Sequence, residues 1–191
     1  MRNVLILHGT NSDSRENWFP WLKRELSALG YSVWCPDLPR ADTPNIRRYN
    51  EFIFANKSFV FSEETLVVGH SSGAVAALGL LQHLPPEVKV GYVYLVSAFK
   101  DDLGWKELKE LFAEPFDLNL IKRKAKGFIF IHSDNDPYCP LKHARFLARN
   151  LGGRLIIIPG NKHFSVGTMG ERYREFPKLL EIIRDHSAPL K

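Results

Sequence analysis

The sequence predicts an α/β fold, a six-stranded parallel sheet with helices on both faces. Three observations carry this. Six short, β-rich apolar runs punctuate the chain, each bounded by turn residues. The runs are continuous rather than alternating, as in strands covered on both faces. Helical patterns fall between them, so the chain reads as successive strand–helix–strand units.

The first run is Val4 to Leu7. Trp18, Trp21, Leu22, Leu26 and Leu29 then follow the three-to-four spacing of a helix face, which closes at Gly30. Ser32 to Cys35 and Leu66 to Val68 are the second and third strands, and Ala74 to Leu84 is a helix apolar on most sides, stopped by Pro85-Pro86. Val90 to Val96 and Phe128 to Ile131 are the fourth and fifth strands, and Ala144, Leu147, Ala148 and Leu151 mark a helix ended by Gly152-Gly153. Leu155 to Ile158 is the sixth strand, followed by a helix from about Glu171 to His186. Two longer connections, Arg40 to Glu64 and Phe99 to Lys126, hold Phe52, Phe54, Phe59, Trp105 and Phe112. Each is expected to carry a helix over the strand ends and to wall a pocket, because long connections in a compact domain are usually functional.

The chain of 191 residues suits one domain, residues 1–191. With 45% hydrophobic and 25% charged residues and no repeat or low-complexity run, the composition is that of a folded globular protein. A net charge of +5 raises the question of a nucleic-acid or membrane partner. The basic residues are scattered, however; the densest groups, Arg47-Arg48 and Lys122-Arg123-Lys124 with Lys126, are short and read as solvated helix faces. Neither a nucleic-acid nor a membrane partner is expected, and the start "MRNVLILHG" has no signal-peptide pattern, so the expected location is cytoplasmic. Cys35 and Cys139 then read as reduced thiols.

The stretch "LVVGHSSGAVAAL" contains a G-x-S-x-G pattern, which chance alone produces in about one chain of this length in fifteen. Its setting is more specific. Ser71 lies between the apolar strand Leu66 to Val68 and an apolar helix opening near Ser72, the strand, tight turn and helix of a nucleophile elbow. Gly69 and Gly73 suit a sharp turn and close helix–sheet packing.

A serine hydroxyl needs a base, and the base needs a carboxylate to orient it. In the chain order of this arrangement the acid and then the histidine follow the serine, on loops after later strands. "HSDNDPYCP" follows the fifth strand and "PGNKHFS" the sixth. His163 is the histidine in the loop after the last strand and is the candidate base. Asp136, in a loop stiffened by Pro137 and Pro140, is the favoured acid; Asp134, two residues earlier, reads as a turn cap through an Asx hydrogen bond. An oxyanion hole would draw on the backbone N–H of Ser72 and on Thr10 or Asn11 in the loop after the first strand. With a strand order of 2-1-3 and onward, those two loops meet at the switch point where open α/β sheets bind ligands. Trp18, Phe99 and Phe164 are candidates for an apolar acyl pocket.

The segments "LILHGTNSDSRENWFPWLKREL", "PDLPRADTP", "VVGHSSGAVAAL", "LVSAF", "HSDNDPYCP" and "KHF" together resemble the small single-domain serine hydrolases of the retinoblastoma-binding type. The resemblance spans nearly the whole chain and implies a compact α/β-hydrolase fold without a large lid domain, with the triad on Ser71, Asp136 and His163. Two departures stand out. "NIRRYNEFIF" occupies a segment where relatives commonly carry a tryptophan, and Cys139 stands where an aliphatic residue is usual. Cys139 reads either as inert packing or as a thiol whose oxidation perturbs the triad.

The expected activity is hydrolysis of small-acyl esters or amides through an acyl-enzyme on Ser71. No metal or organic cofactor is expected, since no phosphate loop, dinucleotide fingerprint or His/Cys cluster at metal-ligand spacing is present. The competing reading is a protein-binding module on a hydrolase scaffold; a complete set of triad residues speaks for the enzyme.

Overall fold

A computed structural model describes residues 2–187 of the chain. Six parallel strands form one sheet: β1 (Asn3–Leu7), β2 (Ser32–Trp34), β3 (Thr65–His70), β4 (Val90–Val96), β5 (Ala125–His132) and β6 (Arg154–Ile157). Their order is β2-β1-β3-β4-β5-β6, so the direction of winding reverses beside β1 and β3, the expected switch point. In register, Leu5 faces Val67 and Leu7 faces Gly69, which brings the loop after β1 beside the turn after β3.

Alternation along the strands divides the core. Leu5, Leu7, Val67, Val93, Leu95, Phe128 and Phe130 point to one face. There they pack on α2 (Ile46–Ala55), α3 (Ser72–His83), α4 (Leu118–Arg123) and α5 (Leu141–Leu151). Val4, Ile6, Val68, Tyr94, Val96, Ile129 and Ile131 point to the other, against α1 (Phe19–Ala28) and α7 (Pro177–Ser187). The central strands β1 and β3 are therefore buried on both faces, which is why they read as unbroken apolar runs, while the edge strands β2 and β6 are partly exposed. α3 is buried almost throughout, α5 ends on Gly152 in the left-handed conformation (φ 67°), and α2 is capped by Asn45, whose side chain accepts the Arg48 N–H at 2.9 Å.

Three expectations need correction. The last helix does not start at Glu171. Residues Glu171–Arg174 form a 3-10 turn, Glu175 is extended (φ −134°, ψ 154°), and α7 begins at Pro177, which fits a first helical turn but not an interior. Before it, Val166–Met169 makes one short helix, α6. Lys124 does not belong to a solvated face: it is buried, and its ammonium donates to the carbonyls of Leu84, Pro85, Pro86 and Val88 just past the end of α3. A cation there answers the negative end of that helix. Finally, the connection Arg40 to Glu64 carries α2 as expected, but none of its residues lines the cleft described below.

Candidate active site

A cleft of about 430 Å³ opens where the loops after β1, β3, β4, β5 and β6 converge. Its lining combines polar residues, Thr10, Asn11, Ser12, Glu16, Asn17 and Ser165, with apolar and aromatic ones, Phe99, Leu103, Trp105, Leu108 and Tyr138. Ser71 and His163 line the same cleft.

Ser71 sits at the turn between β3 and α3 with φ 55° and ψ −123°, a conformation costly for a residue with a side chain. The turn survives because its surroundings leave no alternative. The Ser71 N–H donates to Val96 O at 2.9 Å, and the Ala74 N–H donates to Ser71 O at 2.9 Å. A methyl on Gly69 would come within 2.5 Å of Gly73 O, and one on Gly73 would collide with the carbonyl oxygens of Leu7 and His8. Both glycines are thus required by closeness of backbone to backbone. Among the described residues, Ser71 Oγ has no hydrogen-bond partner.

Two backbone donors lie beside Ser71 and the cleft. Neither the Ser72 nor the Thr10 N–H has an acceptor among the described residues, and the Thr10 hydroxyl donates to Ser72 Oγ at 2.8 Å, tying the two residues together. The Asn11 N–H is not available as a donor, because it already binds Ala41 O at 3.0 Å. This choice was hidden in the sequence, since Ala41 lies in a connection with no local signal. His8 braces the same loop. The Leu38 N–H donates to His8 Nε2 at 2.8 Å, which leaves Nδ1 to donate to Gly9 O at 2.9 Å, and burial holds the His8 pKa below its ordinary value.

His163 Nδ1 donates to Asp136 at 2.9 and 3.1 Å, so in the neutral ring Nε2 carries the lone pair. The Asp136 side chain is fully buried (0% exposed) and accepts three further hydrogen bonds: from the N–H groups of Tyr138 (2.9 Å) and Cys139 (3.0 Å) and from Ser97 Oγ (2.7 Å). Burial alone would raise its pKa; the His163 hydrogen bond and charge, with the two N–H groups, outweigh it and hold the carboxyl below its usual range. Sequence reasoning missed Ser97, which occupies a left-handed conformation (φ 53°) just after β4.

The loops carrying acid and histidine are stitched residue by residue. Ser133 Oγ accepts the Asn161 N–H, Asp134 Oδ1 the Gly160 N–H and Asn135 Oδ1 the Lys162 N–H, at 2.9, 2.8 and 2.9 Å, and Asp136 then takes His163 itself. Asp134 is therefore not a local turn cap; it reaches across to the neighbouring loop. From beneath, His70 Nε2 donates to His163 O at 2.8 Å and Trp18 Nε1 donates to Phe164 O at 3.0 Å. Burial, with His163 nearby, drives the His70 pKa down to about 3, so its ring is neutral at physiological pH. His70 is a support that the sequence reading left inside the elbow without a role.

Of the three expected pocket aromatics, only Phe99 lines the cleft. Trp18 and Phe164 are fully buried behind it, packed with Phe19, Phe176 and Tyr173, because the histidine loop needs an apolar floor. The aromatics facing the opening are Trp105 (45% exposed) and Tyr138 (44% exposed), whose rings meet edge to face at 5.9 Å. Tyr138 also stands edge-on to His163 at 5.0 Å.

The chain is similar to known proteins along most of its length. The chain is 25% identical over 185 residues to the serine hydrolase RBBP9 of Rattus norvegicus, covering 95% of this chain and 92% of that one. It is 29% identical over 164 residues to YdeN of Bacillus subtilis (strain 168), covering 85% and 86%. The crystal structure of the B. subtilis ydeN gene product superposes with a TM-score of 0.89 at 27% identity, over 97% of this chain and 98% of that one. Est1E of Butyrivibrio proteoclasticus shares the fold, with a TM-score of 0.65 at 16% identity over 96% and 90% of the two chains. Residues 4–183 match the serine hydrolase family, and this protein, with its α/β-hydrolase fold, belongs to that family.

Proposed function

We propose that the protein hydrolyses small-acyl esters or amides through an acyl-enzyme on Ser71, with His163 as base and Asp136 as the carboxylate that orients it. The observation that carries this reading is the buried Asp136 carboxylate, which fixes the proton of His163 on Nδ1 in the cleft that also holds the strained Ser71. As Ser71 Oγ bonds to the substrate carbonyl carbon, its proton passes to His163 Nε2. The carbonyl oxygen becomes an oxyanion and accepts from the Ser72 and Thr10 N–H groups. The bond to the leaving alcohol or amine then breaks, and the leaving group takes the proton from His163. Water repeats the sequence in reverse and releases the acid. These steps call on no cofactor. The apolar lining residues Phe99, Leu103 and Leu108 suit the acyl group, and the polar ones the leaving group. Among the described residues no helix is long and apolar enough to cross a membrane, and Cys35 and Cys139 are buried free thiols, consistent with action on small molecules in the cytoplasm.

The test is to quench turnover of p-nitrophenyl acetate in acid and map the acetylated peptide. Acetyl on Ser71, absent in Ser71→Ala, is the expected result. A folded protein that hydrolyses the ester with no label on Ser71 would sink the assignment.

A further inference from the structure

Cys139 is a buried thiol beside Asp136 and His163 that the mechanism leaves unused. The residue is 1% exposed and borders the cleft, and among the described residues its sulfur makes no hydrogen bond. The backbone turn that gives Asp136 its Tyr138 and Cys139 N–H donors also brings the Cys139 side chain back onto the carboxylate. The sulfur, an Asp136 oxygen and a His163 ring nitrogen lie within 4.8 Å of one another. Sequence spacing concealed this, because His163 arrives from a different loop.

We propose that Asp136, Cys139 and His163 form an inhibitory site for zinc or a similarly thiophilic divalent cation. One thiolate, one imidazole and one carboxylate are a donor set zinc takes readily, and magnesium or calcium does not. Tetrahedral zinc holds its ligand atoms about 3.3–3.6 Å apart, so donors now within 4.8 Å of one another close by up to about 1.2 Å and the Nδ1–Asp136 pair, at 2.9 Å, opens by a few tenths of an ångström. Cys139 and His163 both border the cleft, which leaves a fourth position for water.

The chemistry follows from the proton on His163. The metal takes the place of that proton in the Nδ1–Asp136 hydrogen bond, and the Asp136 bonds from Ser97, Tyr138 and Cys139 stay available to its remaining lone pairs. The displaced Nδ1 proton moves to Nε2. The thiol proton leaves to solvent, so one zinc ion enters, one proton is released, and the two negative ligands balance the metal charge. With Nε2 protonated, His163 is a donor and cannot accept the proton of Ser71. The site therefore switches off the base by tautomer rather than by blocking the cleft. This regulation rests on the proposed hydrolytic role of His163; the metal site itself does not.

The test uses the full chain with cobalt(II) chloride as a spectroscopic stand-in and zinc chloride as inhibitor. The wild type is expected to bind one equivalent of cobalt with a near-ultraviolet thiolate-to-metal band, and Cys139→Val to lack that band. Zinc is expected to inhibit p-nitrophenyl acetate hydrolysis reversibly, with EDTA restoring it, and to be at least about tenfold less potent on Cys139→Val. Cys139→Ser substitutes if the valine variant does not fold, with the same expectations. Cobalt bound without the band, no cobalt bound, or equal zinc potency on wild type and variant would each overturn the proposal. A wild type that shows the cobalt band but no acetylation of Ser71 would uphold the metal site and count against the hydrolase mechanism instead.

Discussion

Ser71 and His163, the proposed nucleophile and base, are held in place by different physics. Ser71 is held by exclusion: Gly69 and Gly73 let three backbone segments approach so closely that the strained turn has nowhere to relax. His163 is held by hydrogen bonds: four successive side chains, Ser133 to Asp136, each bind one position of the loop Gly160 to His163, while His70 and Trp18 hold its carbonyls from below. The steric half has few parts, and each is indispensable. The polar half has many parts, and its sensitivity is graded.

Substitutions can break this contrast. The largest effect belongs to Asp136→Asn, which keeps the shape of the loop but no longer fixes the His163 tautomer. We expect kcat for p-nitrophenyl acetate to fall by about 10⁴ while the melting temperature changes little. Gly73→Ala acts on the other half, where a methyl meets the Leu7 and His8 carbonyls. Thermal denaturation should report a loss near 3 kcal/mol, and folding and activity should fall together.

Ser97→Ala removes one of the donors to the buried carboxylate. Hydrogen bonds to charged groups are worth about 1.5–3 kcal/mol, so kcat should drop by about 10- to 100-fold with KM near the wild-type value. An unchanged kcat would mean that the Tyr138 and Cys139 N–H groups suffice to hold Asp136.

Acidification should expose the polar half in graded fashion. Burial lowers the pKa values of His8, His70 and His132 below the ordinary 6.5, so the fold favours their neutral rings. Their contribution to stability is complete above about pH 6.5 and is lost as the pH falls below it, each group costing up to about 1.4 kcal/mol per pH unit. Melting curves should therefore begin to shift downward near pH 6, well before carboxylates titrate. A melting temperature flat from about pH 7 to 4.5 would contradict this. The smallest effect is Asp134→Ala, an exposed carboxylate with one bond to the Gly160 N–H, where we expect about 1 kcal/mol of stability and little change in kcat.

The same contrast explains what could be read from the sequence. The elbow is local: strand, Gly69, Ser71, Gly73 and an apolar helix are contiguous, and the strand order of a parallel sheet brings the loop after β1 beside them. The pairing of His163 with Asp136 was legible because each follows a recognisable strand. Their supports were not. Ser97, His70 and Ala41 act through contacts between segments distant in sequence, and nothing near them in the chain announces those contacts. Trp18 and Phe164 carry the chemistry of pocket aromatics, yet tertiary packing made them a floor, while Trp105 and Tyr138 took the opening. The break before α7 was within reach, since Pro177 cannot sit inside a helix.

The most direct test of the central claim is the rate at which a fluorophosphonate modifies Ser71, followed by intact mass in wild type, Asp136→Asn and Asp134→Asn side by side. The account predicts labelling that is slowed by orders of magnitude in Asp136→Asn and close to wild type in Asp134→Asn. Equal slowing in both, or unimpaired labelling of Asp136→Asn, would contradict it.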